Sequence, residues 1–244
     1  MHASLLAMLT LFGVEPDSNQ RPAYLFRMSG PESASPHGQR YRPQPGDLVL
    51  FDDHSTWMRR LYHCCGTAGP LHAAIVVPRE DGSLAILEAG SKAGRMVRSL
   101  DLEPRLHDFD GTILIRRLRT PLAPEQTKQL CDFAALQEGK PYAVARFLLQ
   151  GTPLRPRNSL WAQHFGGTVL DRERWICSEL AVAAATAAGV LDADYPANVM
   201  FPRDLCYDER YDLGRFYEPV AMWYSRPELE YVGKGVRVIP QAER

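Results

Sequence analysis

Three side-chain types that together activate a thiol occur in this chain in the order imidazole, carboxylate, thiol: His72, Glu88 and Cys177. Cys177 stands at the head of an alanine-rich run, 180–188, that stops at Gly189. Alanine is the strongest helix former and glycine a common C-terminal cap, so this spacing predicts a helix with Cys177 in its first turn. There the unsatisfied N–H groups and the positive end of the helix dipole favour a thiolate. A free thiol is only a few per cent ionised at pH 7, so stabilising the anion raises the population of the nucleophile. A cysteine taken alone is more often a small buried apolar residue, and the residues far upstream decide between the readings.

His72 opens a predicted strand, 72–77, and Glu88 closes the return strand, 83–88, across the turn Arg79-Glu80-Asp81-Gly82. If Pro78 pairs with Gly82, His72 lies opposite Glu88. If the loop is centred one residue later, Glu88 is a diagonal neighbour of His72. Both registers put the imidazole and the carboxylate on one face, and a one-residue slip separates them. Ala74, Val76, Leu84 and Ile86 share that face and mark it as buried. A buried imidazole and a buried carboxylate each need a partner, and each can serve the other.

The elements that must position these groups follow from pattern. Gly46-Asp47-Leu48-Val49-Leu50-Phe51 reads as a strand, and Ser55 caps a short helix, 56–65, with Trp57, Leu61 and Cys64 or Cys65 inward. Further strands are predicted over 95–100 and 112–118, and short connections suggest that the four from 72 onward form an antiparallel meander. Pro124 opens a helix, 125–137, with Leu130, Phe133, Ala134 and Gln137 inward and Cys131 at the margin. A short helix over 142–150 precedes an irregular stretch, 152–173. This stretch leads directly into the Cys177 helix and is expected either to shape the site's mouth, with Trp161 and Phe165 as an apolar wall, or to be a surface loop with a small satellite core. A last strand is expected over 216–224. The sum is α+β, an antiparallel sheet of about five or six strands packed against helices.

Residues 3–14 form an apolar run without a basic flank or a clear small-x-small site, which favours a packing helix over a signal peptide. Residues 15–45, rich in Pro, Ser, Arg and Gly, read as a loop or linker. The expected organisation is therefore an N-terminal helix and linker, 1–45, and a thiol hydrolase domain, 46–244. A formal net charge of −1 gives no footing for nucleic acid or an anionic membrane surface. Five cysteines at irregular spacing, with no CxxC pair, favour neither a disulfide framework nor structural zinc. Asp52, Asp53 and His54 read as a polar loop rather than metal ligands. No cofactor, metal or stable membrane span is expected. The default location is cytoplasmic, and the apolar run 3–14 leaves export open. The sequence sets no oligomeric state.

Six pieces occur in a characteristic order: Gly46-Asp47-Leu48-Val49, the His72 strand, Leu87-Glu88-Ala89, Gly139-Lys140-Pro141-Tyr142, Cys177-Ser178-Glu179-Leu180, and Phe201-Pro202-Arg203-Asp204-Leu205. This pattern resembles the circularly permuted NlpC-type papain-like family, whose bacterial members include the YiiX and YaeF type. The resemblance covers roughly residues 45–206. It implies a papain-like α+β fold in which the Cys helix packs on the sheet carrying His. It also implies Cys177 as nucleophile, His72 as general base, Glu88 as the group orienting the imidazole, and Tyr142 near the oxyanion or substrate. The chain departs from the family pattern at Leu71 and at Ala143. The implied activity is hydrolysis of an amide or ester, in a peptide or acyl substrate, through an acyl-thioester. A thiol acyltransferase using the same triad, and a binding module that keeps only the fold, are the alternatives.

Overall fold

The strand that begins at His72 lies inside an eight-stranded antiparallel sheet in this computed structural model, which describes residues 23–30, 33–90, 94–150, 168–208, 210–225, 229–232 and 235–238. The strands are β1 (Tyr24–Gly30), β2 (Ser33–Arg40), β3 (Leu48–Asp52), β4 (His72–Pro78), β5 (Leu84–Ala89), β6 (Val97–Asp101), β7 (Thr112–Arg116) and β8 (Ala221–Tyr224). Their spatial order is β2-β1-β8-β7-β3-β4-β5-β6. A separate hairpin pairs β9 (Leu229–Val232) with β10 (Gly235–Val238). The helices are α1 (Thr56–Cys64), α2 (Leu102–His107), α3 (Pro124–Gln137), α4 (Val144–Leu149), α5 (Cys177–Ala187) and α6 (Pro202–Cys206).

Both faces of the sheet are covered, which is why its central strands are almost unbroken apolar runs. On one face Ala73, Ile75, Val77, Ala85 and Leu87 pack with residues of α3 and α5. The alanines of α5 bring its backbone close to the sheet; Ala181, Ala184 and Ala185 are fully buried. The opposite face carries Val49, Ala74, Val76, Ile86 and Ile115, and α2 covers it with Leu102 and Leu106.

Three expectations need correction. The meander holds for β4, β5 and β6, but the next strand, β7, pairs with β3 instead of β6. The reason lies in α2, which carries the chain back across the sheet and buries Leu102 and Leu106 on the way. The linker expected over 15–45 contains two strands, Tyr24–Gly30 and Ser33–Arg40, and β1 pairs with β8 in register Leu25↔Trp223. Together β1 and β2 raise the strand number from the expected five or six to eight. On α1, Ser55 accepts the Met58 N–H and Cys65 at its C-terminal end is buried as anticipated, but Tyr62 is the buried residue within the helix and Trp57 is 66% exposed. The helix expected over 3–14, and residues 152–167 with Trp161 and Phe165, lie outside the described residues.

Two buried charges tie distant segments to the sheet. Asp47 precedes β3 and accepts the Leu118 N–H at 2.8 Å and the Tyr41 hydroxyl at 3.0 Å. Burial pushes its carboxyl up to about 6, against the hydrogen bonds that favour the anion. Arg116, at the end of β7, donates to the carbonyls of Glu218 and Leu205 and to both carboxylate oxygens of Asp208.

Candidate active site

His72 is fixed by both of its flanks. It is the cross-strand partner of Phe51 on β3, and the preceding Leu71 donates its N–H to the Phe51 carbonyl at 2.9 Å. The Leu71 carbonyl accepts the buried Tyr62 hydroxyl at 2.6 Å. The hairpin takes the second of the two registers considered above: Ala74 pairs with Glu88, so Glu88 is the diagonal same-face neighbour of His72. The Nε2 atom of His72 stands 3.0 Å from Glu88 Oε2. Glu88 is fully buried and also receives Arg105 of α2, through Nη2 at 3.0 Å and Nε at 3.2 and 3.3 Å.

Cys177 reaches the same place from the other face of the sheet. Before it, the chain is locked in extended form: Ala143 donates to the Trp175 carbonyl at 2.9 Å, and Trp175 donates to the Pro141 carbonyl at 3.1 Å. Ile176 keeps extended dihedrals, and the helix starts at Cys177. Glu179 accepts the Ile176 N–H at 3.3 Å and Arg146 at 2.6 Å, so one carboxylate holds the first turn of α5 to α4. Glu88 and His72 belong to the face covered by α2, whereas α5 packs on the opposite face. Cys177 and His72 meet at the end of the sheet, where β3 and β5 finish and β4 begins, and both line one cleft.

Burial by itself would drive the imidazole toward its neutral form. The Cys177 charge and hydrogen bond, together with Glu88, outweigh that effect and raise the His72 pKa from 6.5 to about 10. Glu88 shows the converse balance: burial pushes its carboxyl up, but His72 and Arg105 bring it below its ordinary value. With Nε2 committed to Glu88, Nδ1 is the ring nitrogen left for the thiol. The arrangement can therefore hold an imidazolium beside a thiolate, oriented by a carboxylate.

The cleft has a volume of about 390 Å³ and is walled largely by apolar and aromatic side chains, among them Phe51, Met58, Phe109, Tyr142 and Phe147. Tyr142 is placed by its N–H, which donates to the Arg95 carbonyl at 2.7 Å. Its ring lies on Gly90: a Cβ built there would stand 2.8 Å from Tyr142 Cδ2, and Gly90 has φ +84°. Gly90→Ala is expected to cost about 1–2 kcal/mol from the left-handed backbone alone, plus whatever moving the ring adds. A thermal melt of Gly90→Ala beside Gly90→Ala/Tyr142→Ala checks this, because the second change relieves the collision and part of the loss should return.

All four residues singled out from the sequence, Cys177, His72, Glu88 and Tyr142, border or support this one cleft. His63, Cys64 and Cys65 do not line it. Sequence reasoning missed Arg105, Tyr62 and Phe51. A usable signal for Arg105 was present: Leu102 and Leu106 are one helical turn apart, and a buried Glu88 calls for a cation. Among the described residues no three His, Cys, Asp or Glu side chains gather so as to hold a metal ion. No helix among them is long and apolar enough to cross a membrane.

Fold and site together define a mixed α+β protein in which a helix-borne thiol meets an imidazole and a carboxylate carried by sheet strands that precede it in the chain. No protein-family model matches the chain, and no curated protein matches it. Among solved structures it is similar to the metalloprotein yiiX from Escherichia coli O157:H7, with 19% sequence identity and a TM-score of 0.41, over 61% of this chain and 68% of that one.

Proposed function

We propose that this chain is a cysteine hydrolase that cleaves an amide or ester bond through an acyl-thioester on Cys177. The observation that carries the reading is the placement of His72, held by Glu88 at 3.0 Å on one ring nitrogen and lining one cleft with Cys177, whose charge helps to raise the imidazole's pKa. The Cys177 sulfur attacks the substrate carbonyl, and the carbonyl oxygen becomes an oxyanion. The backbone N–H of Cys177, at the start of α5, and the Tyr142 hydroxyl are the donors assigned to it. Burial, followed by the neighbouring Cys177 and Glu179 charges, raises the Tyr142 pKa and keeps its hydroxyl a proton donor. His72 delivers its proton to the departing amine or alcohol as the tetrahedral centre collapses to the thioester. Water then attacks the thioester, His72 takes its proton, and the carboxylic acid leaves with the thiolate–imidazolium pair restored. The apolar walls of the cleft favour a substrate that presents an acyl chain or an apolar peptide side chain.

Activity-based labelling with a thiol-reactive acyl probe, followed by peptide mapping, tests the reading. Cys64 is exposed and Cys177 is 2% exposed, so accessibility alone predicts label on Cys64. The expected result is label on Cys177, lost in His72→Ala. Label confined to Cys64, or label on Cys177 that survives His72→Ala, would remove the hydrolase reading.

A further inference from the structure

Glu88 is 0% exposed and accepts from two partners of opposite behaviour. His72 exchanges its proton during a thiol-catalysed cycle, whereas a guanidinium stays charged. Arg105 is 7% exposed and meets the carboxylate through Nε and Nη2. Its guanidinium carbon lies 4.0 Å from the centroid of the Phe51 ring and 5.3 Å from that of Phe109. The same Phe51 ring stands 5.9 Å from the His72 ring, tilted by 35°. One aromatic residue thus touches both cationic partners of Glu88.

We propose that Arg105 is a positioning residue that keeps Glu88 ionised and oriented while His72 gains and loses its proton. This rests on the catalytic reading of Cys177 and His72. Charge counting gives the reason. In the resting pair the buried cluster holds a thiolate, an imidazolium, the Glu88 carboxylate and the Arg105 guanidinium, and its net charge is zero. After His72 has given its proton to the leaving group, the thioester and the imidazole are neutral, and Glu88 and Arg105 still cancel. Without Arg105 the cluster carries an uncompensated negative charge in both states. A buried unpaired carboxylate is unfavourable and is relieved by taking up a proton, which would remove the acceptor that orients the imidazole.

The remaining ionisable groups near the cluster are accounted for. On α2, Glu103 and His107 pair with each other at 3.2 Å. Arg98, the cross-strand neighbour of Glu88 on β6, is exposed and turns to the Met96 sulfur at 3.3 Å. Tyr62 and Tyr142 face the thiol side, and both are held protonated, chiefly by burial. Asp53 and Arg95 line the cleft and are exposed.

The test uses the full chain and reads iodoacetamide alkylation of Cys177 against pH, with folding followed by circular dichroism. In Arg105→Met the unpaired Glu88 takes up a proton and no longer supports the imidazolium, so the alkaline limb set by His72 should move down by about one pH unit. Labelling by the acyl probe should slow by about tenfold or more. Arg105→Lys, which restores the charge without the planar fork, should return the limb toward the wild-type position. Glu88→Gln/Arg105→Met removes both buried charges and is expected to fold even if Arg105→Met does not. It should label no more slowly than Glu88→Gln alone, because the two residues act as one unit. A folded Arg105→Met with an unmoved limb overturns the proposal, as does a double variant that loses a further tenfold. His72→Ala, run alongside, separates the two levels. If it too leaves the profile unmoved, the triad reading falls and this proposal with it. If only Arg105→Met leaves it unmoved, the positioning role alone falls.

Discussion

Replacing His72 by alanine is expected to turn Cys177 from a thiol that alkylates at a nearly constant rate between about pH 7 and 9 into one whose rate climbs with pH like that of a free cysteine. The expectation follows from the direction of the imidazole's shift. Its pKa is raised from 6.5 to about 10, with the Cys177 charge as the foremost of the favourable causes. The imidazolium's contribution to stability is therefore complete below about pH 6.5 and is lost as pH rises through about 10. Through the neutral range the proton already sits on the ring, so raising the pH there has little left to remove. Loss of general acid–base catalysis costs about 10²–10⁴-fold in rate. Acyl-probe turnover should vanish in Cys177→Ala and fall by that factor in His72→Ala. Glu88→Gln should cost less, since it weakens orientation without removing the base. Tyr142→Phe should cost least, although losing one oxyanion donor can still reach about a hundredfold. Iodoacetamide kinetics resolved by peptide mass spectrometry decide the matter: superimposable Cys177 profiles for wild type and His72→Ala would mean that no dyad exists.

The parts of this site that were legible in the sequence are those governed by local periodicity. Alternation along β4 and β5 placed His72 and Glu88 on one face because strand parity admits only that outcome in either hairpin register. Helical spacing placed Leu130, Phe133, Ala134 and Gln137 on the buried side of α3, and all four are buried there. Ser55 and Cys177 were read as helix starts from composition alone, and α1 and α5 begin at those points. What escaped is set by contacts between distant segments. Nothing local to Leu25 or Phe26 announces a partner as remote as Trp223 and Met222, so a polar, proline-bearing stretch passed for linker. The six residues of α2 show only the single one-turn spacing of Leu102 and Leu106, yet they redirect the chain from β6 to β7 and deliver Arg105 to Glu88. Trp57 was placed inward on hydrophobicity, whereas Tyr62 takes that position because its hydroxyl has a buried acceptor in the Leu71 carbonyl.

Trp175→Ala should be among the most damaging single changes for stability, and its effect should reach the site. Trp175 is fully buried, its ring meets Phe133 of α3 edge-on at 6.2 Å, and its indole N–H donates to the Gln137 side-chain oxygen at 2.9 Å. Truncating a buried tryptophan costs about 3–5 kcal/mol. At roughly 2–4 °C per kcal/mol for a chain of this size, the melting temperature should drop by about 6–20 °C. Gln137 would lose the indole but keep Lys140, whose Nζ lies 2.8 Å from the same oxygen, so an orphaned amide adds little to that cost. The second consequence is positional. The backbone of Trp175 is the rung that joins residues 141–143 to the start of α5, and its ring is what wedges that rung against α3. A cavity there frees the segment carrying Tyr142 relative to Cys177, without touching either side chain. Trp175→Phe retains most of the packing and loses only the indole donor, so it should lie close to wild type in both melting temperature and Cys177 labelling. Trp175→Ala should lose labelling at temperatures well below its own melting point. If Trp175→Ala melts within a few degrees of wild type, or labels normally wherever it is folded, the indole is a filler of the core and the rung does not position the thiol.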